Sequence, residues 1–143
     1  MLTVTPIAPM SETVAALALL ALTGVSAGFP SPAESFYDGP IDLNEHLIKD
    51  ATSTFVVRVS GHSMESGGIS DGDEVIVDRS LQPRDGNVVI AVLDGELTIK
   101  RLRVSKAGVI LHADNPDYPD IVVPSLSECT FWGVVTRCLH HVD

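Results

Sequence analysis

The chain has 143 residues, a net charge of −10 and a hydrophobic content of 45%, which suits one globular domain with an extension and excludes a wholly disordered or collagen-like chain. Phosphate binding needs clustered cations. A chain this acidic is therefore not expected to bind DNA directly and specifically. Only Cys129 and Cys138 are present, which excludes a disulfide-rich framework and a four-cysteine zinc site.

The N-terminal segment is almost uncharged and rich in Ala and Leu. Its apolar run, Val14–Val25, is shorter than the ~20 residues that a membrane span needs. The run has the length of a signal-peptide core, but a signal peptide begins with positive charge and no Lys or Arg precedes Lys49. We predict a short helix over 12–23 that packs against another surface. The alternative interpretation of this segment is a signal peptide, in which case the protein would be exported and cut after Ala27.

A proline-rich stretch follows, from Gly28 to Pro40. Proline lacks an amide hydrogen and disfavours helical geometry in the residue before it, so this stretch is expected to be an extended linker. Beyond it, Asp42 and Glu45 have the spacing of a capping box. We therefore predict a short helix near 42–49.

The remainder of the chain has the pattern of short β-strands separated by tight turns. Runs of β-branched and aromatic residues end at Gly, Asp, Asn and Pro, and Asp94-Gly95 is a pair favoured in two-residue hairpins. This pattern favours an all-β barrel or sandwich over βαβ units. The predicted strands cover 55–60, 74–78, 87–93, 96–104, 109–112, 121–123 and 131–139.

A serine stands directly after the first of these strands, in Ser60-Gly61-His62-Ser63-Met64. The glycine permits a sharp turn that would expose the Ser63 hydroxyl at the strand end. His62 is a poor base for Ser63, because neighbours on an extended chain point apart. The residues alone leave two interpretations open, an ordinary turn serine or a nucleophile.

A lysine that could serve as a base lies on the strand 96–104. Lys100 shares one strand face with Thr98, opposite Arg101 and Arg103, so it can point inward. Burial without a carboxylate partner lowers the pKa of a lysine toward the neutral form that a base requires. The residues alone equally permit an ordinary surface lysine.

The order of these motifs resembles the LexA/UmuD family of self-cleaving Ser–Lys peptidases, and most of all its UmuD branch. The resemblance covers about residues 26–137, and the 37 positions from Ser63 to Lys100 are the family's usual interval. Its motifs are Ser60-Gly61-His62-Ser63-Met64, Gly72-Asp73, Val77-Asp78-Arg79-Ser80 and the segment from Asp94 to Leu102, together with Leu111, Asn115, Tyr118, Ile121 and Gly133-Val134-Val135.

The resemblance implies an active site and a substrate within the same chain. Ser63 would be the nucleophile, Lys100 the base, and the backbone amides of Ser63 and Met64 the oxyanion hole. The bond cut would be Ala27–Gly28, and the sequence does not decide between cleavage within one chain and cleavage between two copies. We expect neither a metal nor a cofactor at this site.

The resemblance also implies an organisation and a cellular role. The fold would be a mainly β, LexA- and signal-peptidase-like peptidase domain over 41–143, preceded by a mobile arm over 1–27 and an extended linker over 28–40. Cleavage would be stimulated by a RecA–single-stranded DNA filament, and the shortened homodimer would join a Y-family, UmuC-like polymerase for translesion synthesis in the SOS response. We expect a cytoplasmic protein with no membrane contact; a non-catalytic protein-binding module of the same fold is the further alternative.

Overall fold

The computed structural model describes residues 6–9, 17–21, 37–48 and 52–142. The predicted cleavage site at Ala27–Gly28, with most of the predicted arm and linker, lies outside these residues. The chain divides into two compact units, one of Met1–Glu12 with Asp50–Asp143 and one of Thr13–Lys49.

The described residues form ten strands and one short α-helix. These are β1 (Pro6–Pro9), β2 (Leu17–Ala21), β3 (Tyr37–Asp42), α1 (Leu43–Leu47), β4 (Thr54–Arg58), β5 (Glu74–Asp78), β6 (Val88–Leu93), β7 (Glu96–Ser105), β8 (Gly108–His112), β9 (Ile121–Val123) and β10 (Thr130–Leu139). The predicted mainly β fold is confirmed.

The smaller unit corrects one prediction. Leu17–Ala21, placed in a helix over 12–23 by the sequence, form strand β2, which pairs antiparallel with β3. The rest of that predicted helix lies outside the described residues. The partner strand is distant in sequence, and such pairing overrides a local helical pattern. The short helix predicted near 42–49 is present as α1.

The larger unit is built on an eight-stranded antiparallel sheet. Its strand order is β1-β4-β5-β10-β6-β7-β8-β9. The seven strands predicted from the sequence correspond to β4–β10. Strand β7 lies between β6 and β8, so the backbone around Lys100 is paired on both sides.

Apolar side chains cover both faces of this sheet. Alternate residues of a strand point to opposite faces, so Ile90 enters one cluster and Val89 and Ala91 enter another. Met64, which follows the candidate nucleophile, is 1% exposed and belongs to the cluster of Ile90. The loop that carries Ser63 is therefore fixed to the core by its next residue.

Strand β10 has no space for a side chain at Gly133. A Cβ atom there would lie 2.5 Å from Cγ1 of Val77 on the neighbouring strand. We expect Gly133→Ala to lower the free energy of unfolding by about 1–3 kcal/mol, the cost of overpacking a core. Urea denaturation measures this loss. Thr130→Ser at an exposed position of the same strand should stay within about 0.5 kcal/mol of wild type, and equal stability of all three proteins would contradict the expectation.

Candidate active site

The structure brings the two predicted catalytic side chains to one small pocket. Ser63 arrives on the loop after β4, and Lys100 arrives on β7. The pocket has a volume of about 60 Å³. Its lining residues are Ser60, Gly61, His62, Ser63, Thr98, Lys100 and Tyr118. Thr98 and Lys100 line it together, as expected from their shared strand face.

The segment before Ser63 is held by the turn that precedes β5. The Val59 amide donates to the Asp73 carbonyl oxygen at 2.8 Å, and the Gly61 amide donates to Oδ1 of Asp71 at 2.7 Å. Gly61 has a φ of 107°, in the left-handed region that glycine tolerates best. The glycine of the motif thus permits the turn that leads to Ser63.

The segment after Ser63 is held by a second set of contacts. A 3₁₀ turn spans Glu65–Gly67, and the amides of Gly67 and Ile69 donate to the Met64 carbonyl at 3.0 and 3.2 Å. The Ser66 amide donates to the carbonyl oxygen of Asp114 at 2.7 Å. Ser63 is therefore fixed on both sides along the chain.

Two backbone amides at the pocket have no acceptor in the described part of the chain. They are the amides of Ser63 and Met64, and neither is a donor in the hydrogen bonds described for this loop. Amides of this kind can stabilise negative charge that develops on a reacting oxygen. They are the two amides that the sequence named for the oxyanion hole.

The side chain of Lys100 is largely buried. The residue is 7% exposed, and burial lowers the pKa of its ammonium below the ordinary 10.5 because the charged form loses hydration. Among the described residues no carboxylate forms an ion pair with it. Its Nζ atom lies 6.0 Å from the centroid of the Tyr118 ring. The predicted inward orientation of this lysine is confirmed.

The turn that supports the nucleophile loop depends on a buried aspartate. Asp73 accepts hydrogen bonds from the Ser70 amide at 2.8 Å, the Cys138 thiol at 3.3 Å and Nδ1 of His140 at 2.6 Å. Burial raises the pKa of Asp73, but these hydrogen bonds outweigh burial and lower it. Burial and the adjacent carboxylate raise the pKa of Cys138 to about 11. Both cysteines are free thiols.

Sequence reasoning gave no site role to three residues that shape this pocket. Tyr118 closes it from the turn between β8 and β9, while Asp71 and Asn115 anchor the nucleophile loop by hydrogen bonds. The residues Asn115-Pro116-Asp117 are typical of a turn, but the approach of this turn to the loop is a long-range contact that a local pattern does not reveal. The His62 ring contacts the Glu65 carboxylate.

Two further features of the described residues concern ligands and membranes. They contain no group of three His, Cys, Asp or Glu side chains placed to hold a metal ion. No helix in this part of the chain is long and apolar enough to cross a membrane.

Burial of Lys100 makes stability depend on pH in one direction. The folded state loses the lysine proton at a lower pH than the unfolded chain, so stability rises as the pH increases through the lowered pKa toward 10.5. We expect Lys100→Met to be more stable than wild type at pH 7 and to lose this advantage as the pH approaches 10.5.

Urea denaturation across that range measures the effect. Lys106→Met, at an exposed turn, is the matched control and should show a constant difference from wild type. A constant difference for Lys100→Met as well would show that Lys100 is not destabilised by its buried charge.

Comparison with known proteins identifies a family and several relatives that span most of this chain. A family model described as Peptidase S24-like matches residues 20–136. Protein SamA of Salmonella typhimurium is 40% identical over 134 residues, which cover 94% of this chain and 93% of SamA. Protein MucA of Escherichia coli is 40% identical over 119 residues, 82% of this chain and 81% of MucA. A LexA repressor of Leptothrix cholodnii is 37% identical over 118 residues, which cover 51% of the repressor.

Proposed function

The chain belongs to the Peptidase S24-like family, as a self-cleaving serine peptidase of the UmuD type in SOS mutagenesis, and we propose that Ser63 and Lys100 cut its own Ala27–Gly28 bond. One observation carries this proposal: a serine on a tightly anchored loop shares a small pocket with a buried lysine that has no ion-pair partner among the described residues.

The reaction needs only these groups and one water molecule. Neutral Lys100 takes the proton of the Ser63 hydroxyl while its oxygen attacks the Ala27 carbonyl carbon. The amides of Ser63 and Met64 stabilise the resulting oxyanion. The Lys100 ammonium then protonates the Gly28 nitrogen, which leaves as a new N-terminus. Water hydrolyses the ester on Ser63 by the same proton path and releases Ala27 as a carboxylate.

The lysine environment supports the base role. A carboxylate next to Lys100 would favour its charged form, which cannot accept a proton, whereas burial favours the neutral form. The 7% exposure of Lys100 and the lowered pKa of its ammonium are the condition that a lysine base requires.

Chain length supports the substrate role of the N-terminal segment. The distance along the chain from Ala27 to Ser63 is 36 positions, and an extended chain spans ~3.3 Å per residue. The segment is long enough to reach the pocket of its own chain or that of a second copy. We propose 1–27 as the removed arm, 28–40 as the linker and 41–143 as the peptidase domain.

We further propose that the shortened chain acts through protein partners in the cytoplasm. Cleavage would remove a single charged side chain, Glu12, so the product stays strongly acidic. An acidic surface disfavours direct DNA binding and is compatible with partners of the kind that the UmuD branch implies. These are a second copy of the chain, a RecA–single-stranded DNA filament that stimulates cleavage, and a Y-family, UmuC-like polymerase.

Replacing the nucleophile should abolish self-cleavage and leave the fold intact. We expect purified Ser63→Ala to yield no product that begins at Gly28, because its methyl group offers no attacking oxygen. Ser105→Ala, which removes an exposed serine hydroxyl at the end of β7, is the matched control and should be cut at the wild-type rate. Intact mass over time measures both.

The same measurement separates the alternatives. A Gly28 product from purified Ser63→Ala would overturn self-cleavage. A protein cut after Ala27 in cells regardless of residue 63 would favour export by a signal peptidase, and a wild-type protein that is never cut would favour the non-catalytic binding module.

Spontaneous cleavage should increase with pH. Only neutral Lys100 can accept the serine proton, so we expect the wild-type rate to rise from neutral pH toward 10 as the neutral fraction grows. Lys100→Arg should stay inactive throughout, because a guanidinium remains protonated. The measurement is a time course of the Gly28 product across pH, with Lys106→Arg as the control that keeps the wild-type profile. A flat wild-type profile would remove Lys100 from the base role.

A further inference from the structure

The side chain of Asn115 reaches the nucleophile loop from the turn after β8. Its Nδ2 atom donates a hydrogen bond to the His62 carbonyl oxygen at 2.6 Å. Its Oδ1 atom accepts the amide hydrogen of Asp117 at 2.9 Å within its own turn. The His62 carbonyl also accepts the Glu65 amide at 3.3 Å. Asn115 thereby connects a distant turn to the peptide bond immediately before Ser63.

The carbonyl of His62 and the amide of Ser63 belong to one rigid peptide unit. The unit is trans, so its C=O and N–H bonds point in opposite directions and a restraint on one orients the other. A hydrogen bond accepted by the carbonyl also polarises the unit and strengthens its N–H as a donor, by ~10–30%. The Ser63 amide is one of the two that have no acceptor in the described chain.

We propose that Asn115 is a positioning residue for the oxyanion hole. By holding the His62 carbonyl, it aims the Ser63 N–H at the oxygen that becomes negative during attack. Asn115 lines a larger groove of about 760 Å³, whereas Ser63 lines the small pocket. The residue that holds the His62–Ser63 peptide unit therefore lies on the groove and is not part of the pocket lining. This inference rests on the proposed self-cleavage at Ser63.

Other contacts of the loop cannot replace this one. Asp71 restrains the Gly61 amide, and Asp114 restrains the Ser66 amide, each at a distance from the Ser63 peptide unit along the chain. The Glu65 amide is a longer and weaker donor to the same carbonyl at 3.3 Å. Loss of the Asn115 donor therefore leaves the orientation of the Ser63 amide poorly fixed.

Two substitutions in the full chain isolate the donor. Asn115→Ser and Asn115→Asp both keep an oxygen that can accept the Asp117 amide, so the local turn is retained, but both lose the Nδ2 group. We expect each to slow the appearance of the Gly28 product about 10- to 100-fold, somewhat less than the loss of an entire oxyanion donor.

The pH profile distinguishes positioning from a change at the base. Asn115→Ser should lower the rate at every pH with the wild-type midpoint, since no charge near Lys100 changes. Asn115→Asp should show a similar loss with a midpoint at higher pH, because an added negative charge favours protonated lysine. The proposal would be overturned if the midpoint of both variants moved to lower pH, or if both variants were cut at the wild-type rate.

Asn87→Ser is the matched control. Asn87 Oδ1 accepts the Arg84 amide at 2.8 Å in another turn, and the residue lines neither the pocket nor the groove. It should be cut at the wild-type rate. Equal slowing of Asn87→Ser and Asn115→Ser, with equal loss of thermal stability, would show that stability accounts for the effect and would overturn the positioning role.

Ser63→Ala separates this proposal from the function on which it rests. If Ser63→Ala gives no product while both Asn115 variants are cut at the wild-type rate, self-cleavage stands and the positioning role fails. If Ser63→Ala itself gives the product, both fail.

Discussion

The central constraint on this site is the burial of a lysine that has no ion-pair partner among the described residues of an acidic protein. In a chain with 19 acidic residues, a lysine would ordinarily form an ion pair with a nearby carboxylate. Acidic side chains near the serine loop bind other donors: Asp71 the Gly61 amide, Asp73 His140 and the Cys138 thiol, and Asp114 the guanidinium of Arg101. None of these three carboxylates forms an ion pair with Lys100 in the described part of the chain, and burial is the cause of the lowered pKa of its ammonium.

The same contacts also fix the serine loop, so electrostatics and geometry are linked. Asp71, Asp73 and Asn115 hold the chain before Ser63, and the Asp114 carbonyl holds the chain after it. A carboxylate that binds a backbone amide has a lower free energy in its charged form and so does not need a lysine partner. The contacts that anchor the loop thus satisfy these carboxylates while they restrain the chain beside Ser63.

The sequence predicted those features that depend on local pattern. Alternation placed Lys100 and Thr98 on one face, and turn residues bounded the strands that became β4–β10. It failed for Leu17–Ala21, where pairing with a strand some twenty residues away outweighed the local apolar run. It also missed Asn115 and Tyr118 as parts of the site, because their contacts with the loop depend on how β8 and β9 fold back across the sheet.

The size of the pocket agrees with a substrate that belongs to the enzyme itself. A volume of about 60 Å³ suits a small side chain, as the proposed Ala27 would present. A pocket this small gives little binding energy to a free peptide. A tethered segment needs little, because the linker already holds it at a high effective concentration and the entropic cost of a separate encounter is absent. A small site can therefore be effective toward its own chain and poor toward other proteins. For the proposed self-cleavage, the docking of the segment, rather than the strength of the pocket, would then determine when the bond is cut.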